Sequence, residues 1–172
     1  MLDIPSKPGA YALELSIHQK HSIQVGKLGK FDFEPGEYIY LGSACGPGGL
    51  QARLRHHLQD RNVKHPYWQI DYLKPLAEMR GVYLLERVEG YRPSTSIECL
   101  WSQTLSGLPE CSIPVKGFGA SDCHSGCSAH LISFTRPVNY RPTPLNTPLL
   151  QEILARSSGV PRERLLYRRC LP

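Results

Sequence analysis

Apolar residues at the start of the chain come in short runs divided by polar or Gly/Pro breaks. Tyr11-Ala-Leu-Glu-Leu-Ser-Ile17 follows a Pro-Gly step and alternates in part, as a strand does. His18 to His21 is polar enough to turn, and Ser22 to Val25 predicts a second, shorter strand. Gly26-Lys-Leu-Gly29 is another turn, and Phe31-Asp-Phe33 a third run. Pro35-Gly36 interrupts the chain before Tyr38-Ile-Tyr-Leu41, which is rich in aromatic and β-branched side chains. Runs this short and this close predict antiparallel hairpins.

The period then changes. Cys45-Gly-Pro-Gly-Gly49 must be loop, and Leu50, Leu54 and Leu58 at helical spacing predict an amphipathic helix over 50–60. His65 to Leu76 mixes Trp68, Ile70, Tyr72 and Leu73 with polar residues and predicts a second short helix. Met79 to Leu85 reads as a strand. Ser94 or Ser96 can cap a helix whose apolar face is Ile97, Leu100, Trp101 and Leu105, ended by Gly107 and Pro109. Leu131 to Phe134 is the expected last strand of the main unit. Four prolines between 137 and 148 mark a linker, and Thr147-Pro148 opens a short helix with Leu149, Leu150, Ile153 and Leu154 as its apolar face. The expected class is α+β: a small antiparallel sheet flanked by helices, an extra N-terminal hairpin and a C-terminal helical tail. A main domain over 8–135 and a Pro-rich linker with basic tail over 136–172 follow.

A chain of 172 residues has room for one domain with a real core. No apolar run approaches the roughly 18 residues of a membrane span, so no membrane association is expected. MLDIPSKPG lacks the basic-then-apolar pattern of a secretory signal, which makes the expected location cytoplasmic and the six cysteines reduced thiols or metal ligands. The net charge of +5 is unevenly placed: residues 136–172 hold seven arginines against Glu152 and Glu163, and the rest of the chain balances to zero. Such a tail attracts polyanions by releasing their counterions.

The chemistry-bearing residues follow an informative order. Gly9-Ala10-Tyr11 opens the first strand, and Tyr40-Leu41-Gly42 closes a later one just before the Gly-rich loop. The following helix carries Arg53 and His57 one turn apart, on one face beside the leucine stripe. Glu98 sits early on the later amphipathic helix. Phosphodiester hydrolysis needs an activated water, neutralised phosphate charge and help for the departing alkoxide. Arg53 suits the phosphate as a planar fork, and a carboxylate such as Glu98 suits Mg²⁺ or Mn²⁺. A tyrosine beside the water could act as base if nearby cations depressed its pKa. Each residue has an ordinary alternative in core packing or a solvated helix edge.

In this order the sequence resembles the GIY-YIG nuclease superfamily, with Ala10 and Leu41 where the pattern names isoleucine. VGKLGKFDF, YIYLGSACGPGGLQARLRHHL, WQIDYL and GFGASDC more closely resemble the domain-of-unknown-function 123 family, a predicted nuclease branch sometimes fused to endonuclease III. The similarity spans roughly residues 8–135. It implies Tyr11 as base, His57 accepting or relaying its proton, Tyr40 positioning water or phosphate, and Glu98 as metal ligand. Gly42, Ser43, Arg55, Ser121, Arg164 and Arg168 are the expected nucleic-acid contacts. Where superfamily members carry an Asn about a dozen residues after the glutamate, this chain offers Glu110. Relatives of the closer family read His-Trp-His where this chain reads Tyr67-Trp68-Gln69, so that contact is lost here or taken by His65, and Asp71 remains the segment's charged group, with a structural cap or helix-end role equally open to it.

Cys123, Cys127 and His130 form a Cys-x3-Cys-x2-His cluster with Asp122 and His124 nearby, one ligand short of a closed zinc site. The fourth would be His124, Asp122 or a distant cysteine. Structural thiols with a hydrogen-bonded His are the expected reading, and Zn²⁺ the alternative. The functional expectation is metal-dependent endonuclease action on nucleic acid, DNA in preference. Its rivals are a non-cleaving nucleic-acid-binding module and a zinc-stabilised protein-interaction domain.

Overall fold

Strand β1 (Gly9–Ile17) and strand β4 (Gly36–Ala44) pair antiparallel over their whole length, Gly9 opposite Ala44 and Ile17 opposite Gly36. Both are buried on both sides, which is why their hydrophobic alternation is only partial in sequence. The computed structural model describes residues 3–59, 66–87, 89–90, 95–134 and 147–170. Between these two strands, β2 (His21–Val25) and β3 (Gly29–Phe33) form a separate hairpin that turns Val25 and Phe33 into the core.

Strand β5 (Glu78–Glu86) lies on the other side of β1, while β6 (Cys111–Ser112), β7 (Leu131–Phe134) and β8 (Leu165–Arg169) complete a sheet of order β6-β7-β4-β1-β5-β8. Every pairing is antiparallel. Helices α1 (Gly49–Gln59) and α2 (Ile70–Leu73) cover one face together with the hairpin, packing Leu50, Leu54, Ile70 and Leu73 against Tyr11, Leu13, Leu15 and Tyr40. Helices α3 (Ile97–Ser106) and α4 (Thr147–Ser157) cover the other, packing Trp101, Leu105, Leu150 and Leu154 against Ala12, Ile39, Leu41 and Tyr83.

The α+β class, the antiparallel sheet, the extra hairpin and the C-terminal helix are as the pattern predicts. Strand β8 is not, nor is the two-residue β6. Leu165-Leu-Tyr-Arg-Arg169 reads as a basic tail because two of its five side chains are charged, yet it completes the free edge of β5 with Leu165 on one face and Leu166 on the other. Ser96 occupies the N-cap of α3 with extended backbone but makes no capping side-chain bond. Ser94, His65 and the prolines at 137, 142 and 144 lie outside the described residues.

Helix α4 is tied to α3 by the buried Trp101 indole N–H, which points at the Leu154 carbonyl (2.9 Å) and the Ser158 hydroxyl (2.6 Å). Leu154→Ala removes a fully buried side chain between sheet and helix. It should lower the unfolding free energy by about 2–5 kcal/mol in a denaturant titration. A loss under about 1 kcal/mol would mean that α4 does not pack here in solution.

Candidate active site

Tyr11 and Tyr40 project from neighbouring strands on the α1 face, one diagonal step apart in the register. Tyr11 stands opposite Gly42, and a Cβ at position 42 would lie 2.4 Å from the Tyr11 ring and hydroxyl. The glycine of Tyr40-Leu41-Gly42 is therefore a steric requirement of Tyr11. Helix α1 begins where the Gly-rich loop brings it against the N-terminal segment: Leu50 N–H donates to the Lys7 carbonyl (2.9 Å) and Gln51 N–H to the Pro5 carbonyl (3.0 Å). A Cβ on Gly49 would lie 2.2 Å from the Lys7 oxygen, so the loop's composition is explained by close backbone approach.

From that start, Leu50 and Leu54 point into the core and carry His57 to Tyr11, whose hydroxyl lies 2.8 Å from His57 Nε2. The Tyr40 ring meets His57 edge-on with centroids 6.3 Å apart. The Tyr40 hydroxyl makes no hydrogen bond among the described residues. Arg53, one turn before His57, stacks its guanidinium over Trp68 at 4.3 Å from the ring centroid, which fixes the cation without neutralising it.

Burial dominates the site's protonation. It raises the Tyr11 phenol well above its ordinary value, reinforced by Tyr40 and opposed by Arg53. It raises Tyr40 as well, again against Arg53. Burial and Lys74 depress His57 to about 3. At neutral pH the pair is a protonated phenol against a neutral imidazole. The depressed tyrosine expected of a base is absent: Arg53 acts in the right direction, but desolvation outweighs it. Among the described residues His57 Nδ1 is buried with no hydrogen-bond partner, leaving the ring hydrogen-bonded through Nε2.

Glu98 reaches the site from α3, in the opposite layer. It is half-buried in the first turn, acts electrostatically on Tyr11, Tyr40 and His130, and makes no hydrogen bond or ion pair among the described residues. Arg53 and Glu98 thus both act electrostatically on Tyr11 and Tyr40, and Tyr11 and His57 are in direct contact.

Several residues that hold the site have only weak signals in the sequence. Asp71 is buried and accepts the N–H groups of Tyr67 (3.1 Å) and Trp68 (3.0 Å), with Lys74 Nζ at 2.9 Å and His56 Nε2 at 3.3 Å. Burial alone would raise its carboxyl, but the Trp68 N–H and Lys74 outweigh that and hold it below the usual range. Asp71 therefore braces the Trp68 turn, which in turn places Arg53. His56, His57 and Asp71 are close enough to hold a metal ion, yet the Asp71 oxygens are committed to Lys74 and two backbone N–H groups, and His57 Nε2 to Tyr11. Gln69 accepts the Gly119 N–H and ties the GFGASDC turn to α2. A Cβ on Gly119 would meet the Tyr40 ring at 2.8 Å, so this turn closes over Tyr40.

The expected nucleic-acid contacts are dispersed. Gly42 is buried under Tyr11, and Arg55 is exposed on α1. Ser43 pairs with Ala10 and so belongs to the opposite face. Ser121 is exposed on the turn that carries Gly119. Arg164 is exposed in the turn before β8, and Arg168 is half-buried in β8, level with Tyr40 through Leu13 and Val82. Cys123, Cys127 and His130 converge as their spacing suggests. Cys99, the residue after Glu98, joins them, and these four form a group able to hold a metal ion. Cys99 was legible only as a distant cysteine, because its partners lie 24 or more positions away and meet it only through the packing of α3.

The family model described as "Domain of unknown function DUF123" matches residues 10–146. The chain belongs to the DUF123 family. No curated protein and no solved structure matches. The DUF123 match takes in β1 to β7 and all five residues of the Tyr11 site, while α4 and β8 follow it.

Two outcomes are expected. Below the ordinary histidine value near 6.5 the unfolded chain takes up a proton that buried His57 refuses until about 3, so stability falls as pH drops through that window. His57→Gln should flatten the acid side of a plot of unfolding free energy against pH, and an unchanged slope would refute the buried, neutral His57. Gly42→Ala should destabilise by about 1–3 kcal/mol through overpacking against Tyr11, measured by thermal or denaturant unfolding.

Proposed function

We propose that this DUF123 chain is a metal-dependent endonuclease that hydrolyses phosphodiester bonds in nucleic acid, DNA in preference, with Mg²⁺ or Mn²⁺ at Glu98. The observation that carries this reading is the Tyr11–His57 contact of 2.8 Å, with Tyr40 and Arg53 on the same face and Glu98 acting on both tyrosines. Resemblance to nucleases found fused to endonuclease III favours DNA and a role in repair. Six free cysteines suit the reducing cytoplasm. Among the described residues no helix is long and apolar enough to cross a membrane.

Each side chain has a distinct task. Tyr11 faces the attacking water and passes its own proton to His57 Nε2 as it takes one from the water. His57, depressed to about 3, holds that proton only transiently and returns it through the Tyr11 hydroxyl, from which it would reach the departing alkoxide. Arg53, stacked on Trp68 and free of any ion pair among the described residues, presents its fork to the phosphate oxygens. The Tyr40 hydroxyl, without a protein partner among those residues, orients water or phosphate. Glu98 is a half-buried carboxylate with no ion pair among the described residues and acts electrostatically on two buried phenols, a donor that suits a hard divalent cation. Such a cation supplies Lewis-acid stabilisation of charge on the phosphate and leaving oxygens.

Beside this face Tyr67 is 82 % exposed and packs edge-on against Trp68 with centroids 4.9 Å apart. An exposed ring packed against the Trp68 that carries Arg53 gives an unstacked base a surface to lie on.

The test is cleavage of labelled linear, nicked and branched DNA and RNA, with Mg²⁺ or Mn²⁺ and without. Glu98→Gln should reduce cleavage by orders of magnitude while leaving metal-free binding intact, and Glu110→Gln should behave like the parent. Arg53→Lys keeps the charge but loses the fork and should slow cleavage by about 10²–10³-fold. Undiminished cleavage by Glu98→Gln would sink the single-metal mechanism. Binding without cleavage by the parent would leave a nucleic-acid-binding module.

A further inference from the structure

The Cys/His group on the α3 side is built from four separate places in the fold. Cys99 lies in the first turn of α3, Cys123 at the end of the GFGASDC turn, Cys127 in the loop after it, and His130 immediately before β7. Their ligand atoms all lie within 4.8 Å of one another; Cys99 Sγ is 3.2 Å from Cys123 Sγ and 3.5 Å from His130 Nε2. A tetrahedral zinc ion with Zn–S of about 2.3 Å and Zn–N of about 2.0–2.1 Å requires edges of about 3.8 Å between sulfurs and about 3.5 Å between sulfur and nitrogen. The four atoms already stand near such an arrangement. They are too far apart for a disulfide, and all six cysteines are free.

The surrounding backbone shapes the group around its sulfurs and imidazole. The backbone N–H groups of Ser125 and Cys127 donate to the Cys123 sulfur. Gly126, at φ +74°, supplies the turn that aims them there. The His130 ring turns Nε2 toward Cys99 and also hydrogen-bonds to the Gly119 backbone, the outer support a metal-binding imidazole needs. The loop is pinned on either side: Gly117 N–H donates to the Ser128 carbonyl (2.7 Å), His130 N–H to the Phe118 carbonyl (2.7 Å), and Ser102 Oγ to the Ala129 carbonyl (2.5 Å). Cys99 and His130 are buried, and Cys123 and Cys127 half-buried.

We infer that Cys99, Cys123, Cys127 and His130 bind one Zn²⁺ as a closed, four-ligand structural site. Three thiolates and an imidazole select zinc over the hard cations that a carboxylate attracts, and four protein ligands leave no position for water or substrate. The ion clamps the first turn of α3 to the chain entering β7, next to Glu98. Zinc binding itself requires no cleavage chemistry.

Metal content of the purified full-length chain, grown with zinc and measured by elemental mass spectrometry, tests this. One zinc per chain is expected, with Cys45→Ser unchanged and Cys99→Ser and Cys123→Ser reduced to a small fraction of it. Should those variants fail to fold, the chelator-treated parent titrated with Co²⁺ should show thiolate charge-transfer bands and the intense visible bands of tetrahedral cobalt. Its thermal midpoint should rise on zinc addition. Absence of zinc together with a weak octahedral cobalt spectrum would overturn the site, as would a Cys99–Cys123 disulfide in the isolated protein. Zinc without DNA or RNA cleavage would defeat the nuclease proposal alone; cleavage without zinc would defeat this one alone.

Discussion

Tyr11 can point into the α1 face only because position 42, its cross-strand partner, has no side chain. That single steric allowance sets the rest of the site. With the ring over Gly42, the hydroxyl meets His57, and α1 must begin where the Lys7 and Pro5 carbonyls receive its first N–H groups. Arg53 then falls one turn nearer the helix start, over Trp68, whose turn is held by Asp71. A larger residue at 42 would displace the phenol and with it the hydrogen bond between strand and helix in the site.

The same burial that organises these groups sets their chemistry. Removing Tyr11 and His57 from water disfavours the phenolate and the imidazolium alike, so the resting pair is neutral. Proton transfer along a short, dry hydrogen bond between two neutral groups needs positive charge nearby to proceed. Arg53 supplies part of it, held in place by an aromatic face instead of a carboxylate that would cancel it. Glu98 makes no ion pair among the described residues.

Two different metal preferences sit side by side on α3. Glu98 is a hard oxygen donor within electrostatic range of the phenols, and the next residue, Cys99, is a soft donor grouped with Cys123, Cys127 and His130. Successive side chains on a helix point about 100° apart, so neighbouring positions in one turn meet different surroundings.

The amino-acid sequence by itself determined the strand and helix runs, because hydrophobic period and Gly/Pro breaks act locally. It also marked Tyr11, Tyr40, Arg53, His57 and Glu98, whose types and order survive any uncertainty about packing. The tertiary structure alone decided what depends on distant partners. Leu165 to Arg169 became a strand because β5 had an open edge, and Tyr11 stayed protonated because two layers exclude water from it. Asp71 became a brace for Trp68 because Lys74 and two backbone N–H groups reach it. Cys99 joined a cluster that spacing left one ligand short, since only the packing of α3 brings its sulfur to the loop. Local pattern records which face a side chain prefers; which residue it meets there depends on how the layers close.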